Sequence, residues 1–191
     1  MSLVAINLGY SSTSLTHEGK PESAIILAKD AMPYTTKAAD KLSDYLGRIT
    51  GASINIVHSP ENVPSQHTRI WVGDHPDLRK SVAGFDPDLN RPETIHIQVE
   101  ANDLILIGTD QMEGDFQTQA GTYLAVLTFL QDTLGVRWLW PGELGTDVPR
   151  HPTLTIEPSS YTYTPQLKYR VLRGANYKRY WDGLRQKVGL P

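Results

Sequence analysis

The sequence has 191 residues, 39% of them hydrophobic and 20% charged, with 18 Lys and Arg against 21 Asp and Glu and no cysteine. That is the composition of a soluble globular protein, and at this length about 70% of the unfolded surface is buried, enough for a self-sufficient core. The missing cysteine excludes zinc ribbons, haem-thiolate sites and cysteine nucleophiles, and a net charge of -3 without a long basic run argues against a nucleic-acid partner.

Met1 to Gly9 has neither the basic segment nor the long apolar segment of a signal peptide. With the polar stretch Tyr10 to Lys20 behind it, this region is expected to be a leader remnant or tag, flexible over residues 1–19. The first buried strand is expected at Ser23 to Ala28, where Ala24-Ile25-Ile26-Leu27-Ala28 leaves no side for solvent. A helix follows, capped by Thr35 or Thr36, with apolar positions Ala38, Leu42, Tyr45, Leu46 and Ile49 at three-and-four spacing and Gly51 as its C-cap. Ser53 to Val57 and Thr68 to Gly73 read as two further strands. A strand, a helix and a returning strand predict parallel pairing.

From Thr94 the pattern becomes a hairpin. Ile95, Ile97 and Val99 alternate with His96 and Gln98, and Leu104 to Ile107 returns after the turn at Ala101-Asn102-Asp103. Gln117 to Leu134 is expected to be the central buried helix, stopped by Gly135. Its apolar run from Ala120 is broken by Thr128, Gln131 and Asp132 and is too short to span a bilayer, so no membrane partner is expected. A short strand at Thr153 to Ile156 follows a Pro/Gly-rich turn. Together these elements predict an α/β fold of α+β character, a mixed sheet of about five to seven strands packed with two main helices.

Residues that carry chemistry are sparse. The six histidines, at positions 17, 58, 67, 75, 96 and 151, form no His-Glu-x-x-His and no helical pair, so no metal is expected, and His96 reads as an outward-facing strand residue. Asp74-His75-Pro76-Asp77 reads as a helix-start turn. Gly73, Gly84, Gly108 and Gly121 are isolated, which gives no phosphate loop and no cofactor, and Ser11, Ser12 and Ser14 lack a nucleophile elbow. Asp110, Glu113 and Asp115 are expected to complement the N-terminus of the long helix. No catalytic residue is expected. The segment Gly135 to Pro149 stands out, because Trp138 and Trp140 beside Arg137 and Glu143 supply the indole faces and polar groups that sugar rings require. The plain structural alternative is that both tryptophans pack under the sheet or on a neighbouring domain.

The run from Gly121 through Thr122-Tyr123-Leu124 to Trp138-Leu139-Trp140-Pro141-Gly142-Glu143 and Pro149 resembles the helix-plus-turn of a small α/β domain. That domain precedes the barrel in bacterial glycoside-hydrolase-like proteins, among them the family 67 alpha-glucuronidases and family 20 beta-hexosaminidases. Ala24 to Ala31 and Ala38 to Gly51 are similar to its first strand and helix. The resemblance covers residues 20–160 and implies a hexosaminidase N-terminal-domain-like accessory unit, not itself catalytic, with a C-terminal catalytic domain in cis and carbohydrate reached through the parent protein. It further implies that residues 161–191 begin a truncated barrel domain and that the parent is secreted or periplasmic. Pro165-Gln166-Leu167-Lys168-Tyr169-Arg170 resembles the first barrel strand of the hexosaminidases, which makes Arg170, or Arg173 in its place, a sugar-binding candidate. Trp138, Trp140 and Glu143 complete the candidate binding set. Two other functions are open: a stand-alone carbohydrate-binding module using Trp138, Trp140 and the tyrosines Tyr161, Tyr163 and Tyr169, and a small α/β enzyme of unknown chemistry.

Overall fold

A computed structural model describes residues 12–166 of the chain. The strand at Ser23–Ile26 (β3) is buried at every position because it lies inside a sheet covered on both faces. Before it, Thr13–His17 (β1) and Lys20–Pro21 (β2) form a small antiparallel sheet with Leu154–Ile156 (β12). This corrects the expectation of a flexible leader over 1–19, because from Thr13 onward the stretch is folded and Leu15 is fully buried.

After β3 comes the helix Pro33–Thr50 (α1), closed by Gly51 in the left-handed conformation at φ 79°, with Gly51 N–H bonded to Gly47 C=O. The sequence placed its start three or four residues late, since Met32 and not Thr35 or Thr36 is the N-cap. Pro33 takes the first position, where a missing N–H costs nothing, and the Tyr34 N–H is satisfied by Gln117 Oε1 at 2.8 Å. Neither Thr35 nor Thr36 caps the helix; Thr35 is buried inside its first turn. Ile56–Val57 (β4) is shorter than expected, whereas Thr68–Val72 (β5) agrees with its reading. A single helical turn, Leu78–Ser81 (α2), follows the Asp74 to Asp77 turn.

Ile95–Glu100 (β6) and Asp103–Gly108 (β7) form the expected hairpin, with Ala101 at φ 49° in its turn. Asp110–Glu113 (β8) and Phe116–Ala120 (β9) form a second hairpin. The long helix is therefore shorter than predicted. Gln117 to Ala120 is polar strand, and the helix Gly121–Thr128 (α3) runs into a widened π-turn at Phe129–Thr133, which leaves Ala125, Val126, Phe129 and Leu130 buried and Leu124 open to solvent. Gly135, at φ 78°, ends it. Then come Arg137–Trp138 (β10), Thr146–Asp147 (β11), β12 and Ser159–Tyr163 (β13).

The main sheet has six strands in the order β13-β6-β7-β5-β3-β4, with β4, β3, β5 and β7 parallel and β6 and β13 antiparallel to their neighbours. This is the predicted mixed α/β architecture. Side chains alternate across the pleat. Ile25, Ile70, Val72, Leu104 and Leu106 join α1 and α3 in one core, while Ile26, Trp71, Ile105 and Ile107 meet Leu78, Val82 and Phe85 on the other face. That second layer corrects the reading of His96 as outward-facing. The residue is buried against Phe85, with its ring nitrogens bonded to Thr162 Oγ1 at 2.7 Å and Gln98 Oε1 at 3.1 Å. β13 also carries the folded unit past the expected boundary at residue 160, because Tyr161 and Tyr163 pair with Ile97 and Ile95.

Candidate functional site

The strands β3, β5 and β7 run parallel and end side by side. From β3 the chain passes through α1 to β4 on one flank, then crosses to β5 on the other, so the strand order reverses at β3/β5. At such a point the two connections diverge and leave a crevice outside the carboxyl ends of the strands. Here the crevice is a cleft of about 460 Å³, lined by the loops after all three strands.

Its polar side chains are three carboxylates, Arg79, Thr35 and Thr109. Asp30 follows β3 and is exposed. Asp74 follows β5 and is paired through Oδ1 with Arg79 Nη1 at 2.7 Å, both side chains being exposed. Asp110 follows β7 and is the most constrained. Its Oδ2 accepts from Thr35 Oγ1 at 2.9 Å and its Oδ1 from the Thr122 N–H at 3.1 Å. Burial pushes the Asp110 carboxyl above the usual carboxylate range, against the opposing pull of hydrogen bonds from Thr122, Thr35 and Gly121. Of the predicted acidic trio, Asp110 does cap the first turn of α3, whereas Glu113 and Asp115 lie exposed on the β8–β9 hairpin.

Two glycines make this geometry possible. A Cβ on Gly108 would collide with the backbone of Gly121, and one on Gly121 with the backbone of Gly108 and Thr109. Only this pair lets α3 start directly against the end of β7 and aim its N–H groups at Asp110. The cleft lining contains no His, Ser or Cys; its polar side chains are Asp30, Asp74, Asp110, Arg79, Thr35 and Thr109. No group of three His, Asp or Glu side chains among the described residues is arranged to hold a metal ion. Among the same residues, no helix is long and apolar enough to cross a membrane.

The sequence pointed instead to the Trp138 to Glu143 turn, which projects from the short β10–β11 ribbon. Trp138 is half-buried, donates its Nε1–H to Tyr45 Oη at 2.7 Å and packs edge-on against that ring at 5.5 Å. Trp140 is 54% exposed, between Leu139 at 68% and Leu144 at 74%. Glu143 is exposed and pairs with Arg48 at 3.0 Å. Arg48 lies thirteen residues beyond Thr35 on α1, so the turn sits about 20 Å along the helix axis from the cleft. Tyr161 and Tyr163 are half-exposed on the edge strand. Arg170, Arg173 and Tyr169 lie outside the described residues. The cleft was missed because its carboxylates stand far apart in sequence, and the available signal was three strand ends, each followed within four residues by an aspartate.

No protein-family model matches the sequence, and no curated protein matches it. Solved structures do. One is a family GH115 4-O-methyl-alpha-glucuronidase with specificity for decorated arabinogalactans, matched with a TM-score of 0.61 at 18% identity over 82% of this chain and 19% of that one. The likeness is one of fold. The chain thus spans about a fifth of that glucuronidase. A second match, the glycoside hydrolase CpGH84D, reaches a TM-score of 0.43 at 10% identity over 81% of this chain and 23% of that one, too distant to support more.

Proposed function

We propose that this chain is a non-catalytic accessory domain of a larger carbohydrate-active, glycoside-hydrolase-like protein. The observation that carries the reading is the asymmetric coverage: the α/β fold accounts for 82% of this chain and only 19% of a glucuronidase chain. The side-chain contacts of the cleft are accounted for structurally: Asp110 accepts from the Thr35 hydroxyl and the Thr122 N–H at the start of α3, and Asp74 is paired with Arg79.

In this reading a C-terminal catalytic domain packs in cis on the surface of the accessory domain, and carbohydrate is bound by the parent protein. The projecting apolar residues Leu139, Trp140 and Leu144 are suited to such a contact, being too exposed for a core and too clustered for an ordinary surface. Glu143, Arg170 and Arg173 remain the polar candidates for the sugar-side contacts, and export of the parent belongs to the same proposal. The test is hydrolysis of aryl glycosides, α-glucuronides included, by the 191-residue chain. The expected rate is that of buffer, and turnover abolished by replacing a carboxylate within these residues would overturn the reading.

One observation favours a second reading. Trp140, an indole that is 54% exposed, is suited to act as a single stacking platform for a pyranose, as in a stand-alone carbohydrate-binding module. Saturable binding of an oligosaccharide lost in Trp140→Ala would support it, and an isotherm unchanged by that substitution would remove it.

A further inference from the structure

The charge of this chain is strongly partitioned along its sequence. Residues 12–166 hold eleven Lys and Arg against twenty Asp and Glu, a net -9, while residues 167–191 hold seven Lys and Arg against the single Asp182, a net +6. The place where the first part ends is fixed by the sheet. Tyr163 pairs with Ile95, which pairs with Gly108 at the carboxyl end of β7. Thr164 Oγ1 then lies 2.9 Å from Thr94 Oγ1, and the carbonyl of Thr94 accepts from the N–H of Thr109, a wall residue of the cleft. The chain therefore leaves the sheet beside the cleft that holds Asp30, Asp74 and Asp110, and not beside the Trp138 to Glu143 turn.

The same end presents apolar surface. The β8–β9 hairpin starts at Asp110, reaches over the start of α1 through the Gln117 to Tyr34 bond, and exposes Phe116 at 78% and Met112 at 36%. The sequence beyond Gln166 supplies both complements, cations at Lys168, Lys178, Arg179, Arg185 and Lys187 and aromatic rings at Tyr177, Tyr180 and Trp181.

We propose that the carboxyl-end cleft and its hairpin rim are a docking surface for residues 167–191 of this same chain, with cations among Lys168, Lys178, Arg179, Arg185 and Lys187 meeting a cleft whose three carboxylates outnumber its one lining cation, Arg79. A segment tethered beside its site has an effective concentration that no separate peptide reaches, so partly solvated ion pairs suffice for occupancy. The inference bears on the accessory-domain reading, which takes residues 161–191 as the start of a C-terminal domain: the docked segment is then the first part of that domain.

The test uses the 191-residue chain. A water-soluble carbodiimide joins amines to carboxylates in contact, and mass spectrometry of the digested product locates each link. Intramolecular links from Lys168, Lys178 or Lys187 to Asp30, Asp74 or Glu113 are expected, independent of protein concentration, and declining severalfold as salt shortens the screening length to about 3 Å at 1 M. Tryptic cleavage after Lys178, Arg179 and Arg185 is expected to accelerate at least fivefold in the double substitution Asp30→Asn, Asp74→Asn, two exposed sites outside the core, and to be unchanged in Asp132→Asn. Links scattered over carboxylates remote from the cleft, links only between two copies, or cleavage rates that ignore the double substitution would each overturn the proposal.

Discussion

Asp110 offers the sharpest test of how the cleft is held together. In Asp110→Ala the Thr122 N–H in the first turn of α3 and the hydroxyl of buried Thr35 both lose their acceptor. Stranding buried donors costs about 1–3 kcal/mol, a range that overlaps the loss of a helix N-cap. For a domain of this size that corresponds to a fall in Tm of about 2–12 °C. Asp110→Asn keeps an acceptor while removing the buried charge, and it is expected to cost clearly less than Ala at neutral pH.

The pH dependence separates burial from hydrogen bonding. Burial holds the folded Asp110 carboxyl above its ordinary range, so the folded state binds this proton more tightly than the unfolded state. The stability this provides is complete below about pH 4 and is lost as pH rises through the folded pKa. Thermal melts followed by near-UV circular dichroism should therefore show wild type losing ground to Asp110→Asn as pH increases. A wild type that gains on the Asn variant with rising pH would refute the reasoning, because the hydrogen bonds would then outweigh desolvation.

Other expectations follow from the same contacts. Asp103→Ala removes the acceptor of the fully buried Trp71 Nε1–H, 2.7 Å away, and the partner of Arg69 at 2.6 Å; unfolding in urea should show a loss of about 2–4 kcal/mol. Gly121→Ala forces a Cβ into the backbone of Thr109, and calorimetry should record a loss of about 3 kcal/mol or more, or no soluble protein. Trp138→Phe deletes the bond to Tyr45 and should cost about 1 kcal/mol, whereas Trp140→Ala, at an exposed position, should leave the unfolding free energy within about 0.5 kcal/mol of wild type.

Much of the sheet was legible because its strands are continuous apolar runs or strict alternations, as in Ala24 to Ala28 and Ile95 to Val99. The helix boundaries were less so. Thr35 looks like a cap in sequence, but Pro33 and the distant Gln117 make the real start of α1, and a tertiary bond cannot be read from local spacing. Gln117 to Ala120 was drawn into the following helix because its polar residues fit one face, yet pairing with β8 and the close contact of Gly121 with Gly108 decide otherwise. His96 followed the rule that alternation means one wet face, and failed because loops around Phe85 cover that face too. The cleft was the least legible part, since Asp30, Asp74 and Asp110 converge only when three parallel strands end together.

The central claim, that this α/β unit serves a larger carbohydrate-active protein, is tested most directly by the mass of the polypeptide that carries it in its source cells. An antibody raised against residues 12–166 and denaturing electrophoresis suffice. The account predicts a band several times heavier than the 21.3 kDa of these 191 residues. A band at 21.3 kDa would contradict it and turn attention to sugar binding at Trp140 in its own right.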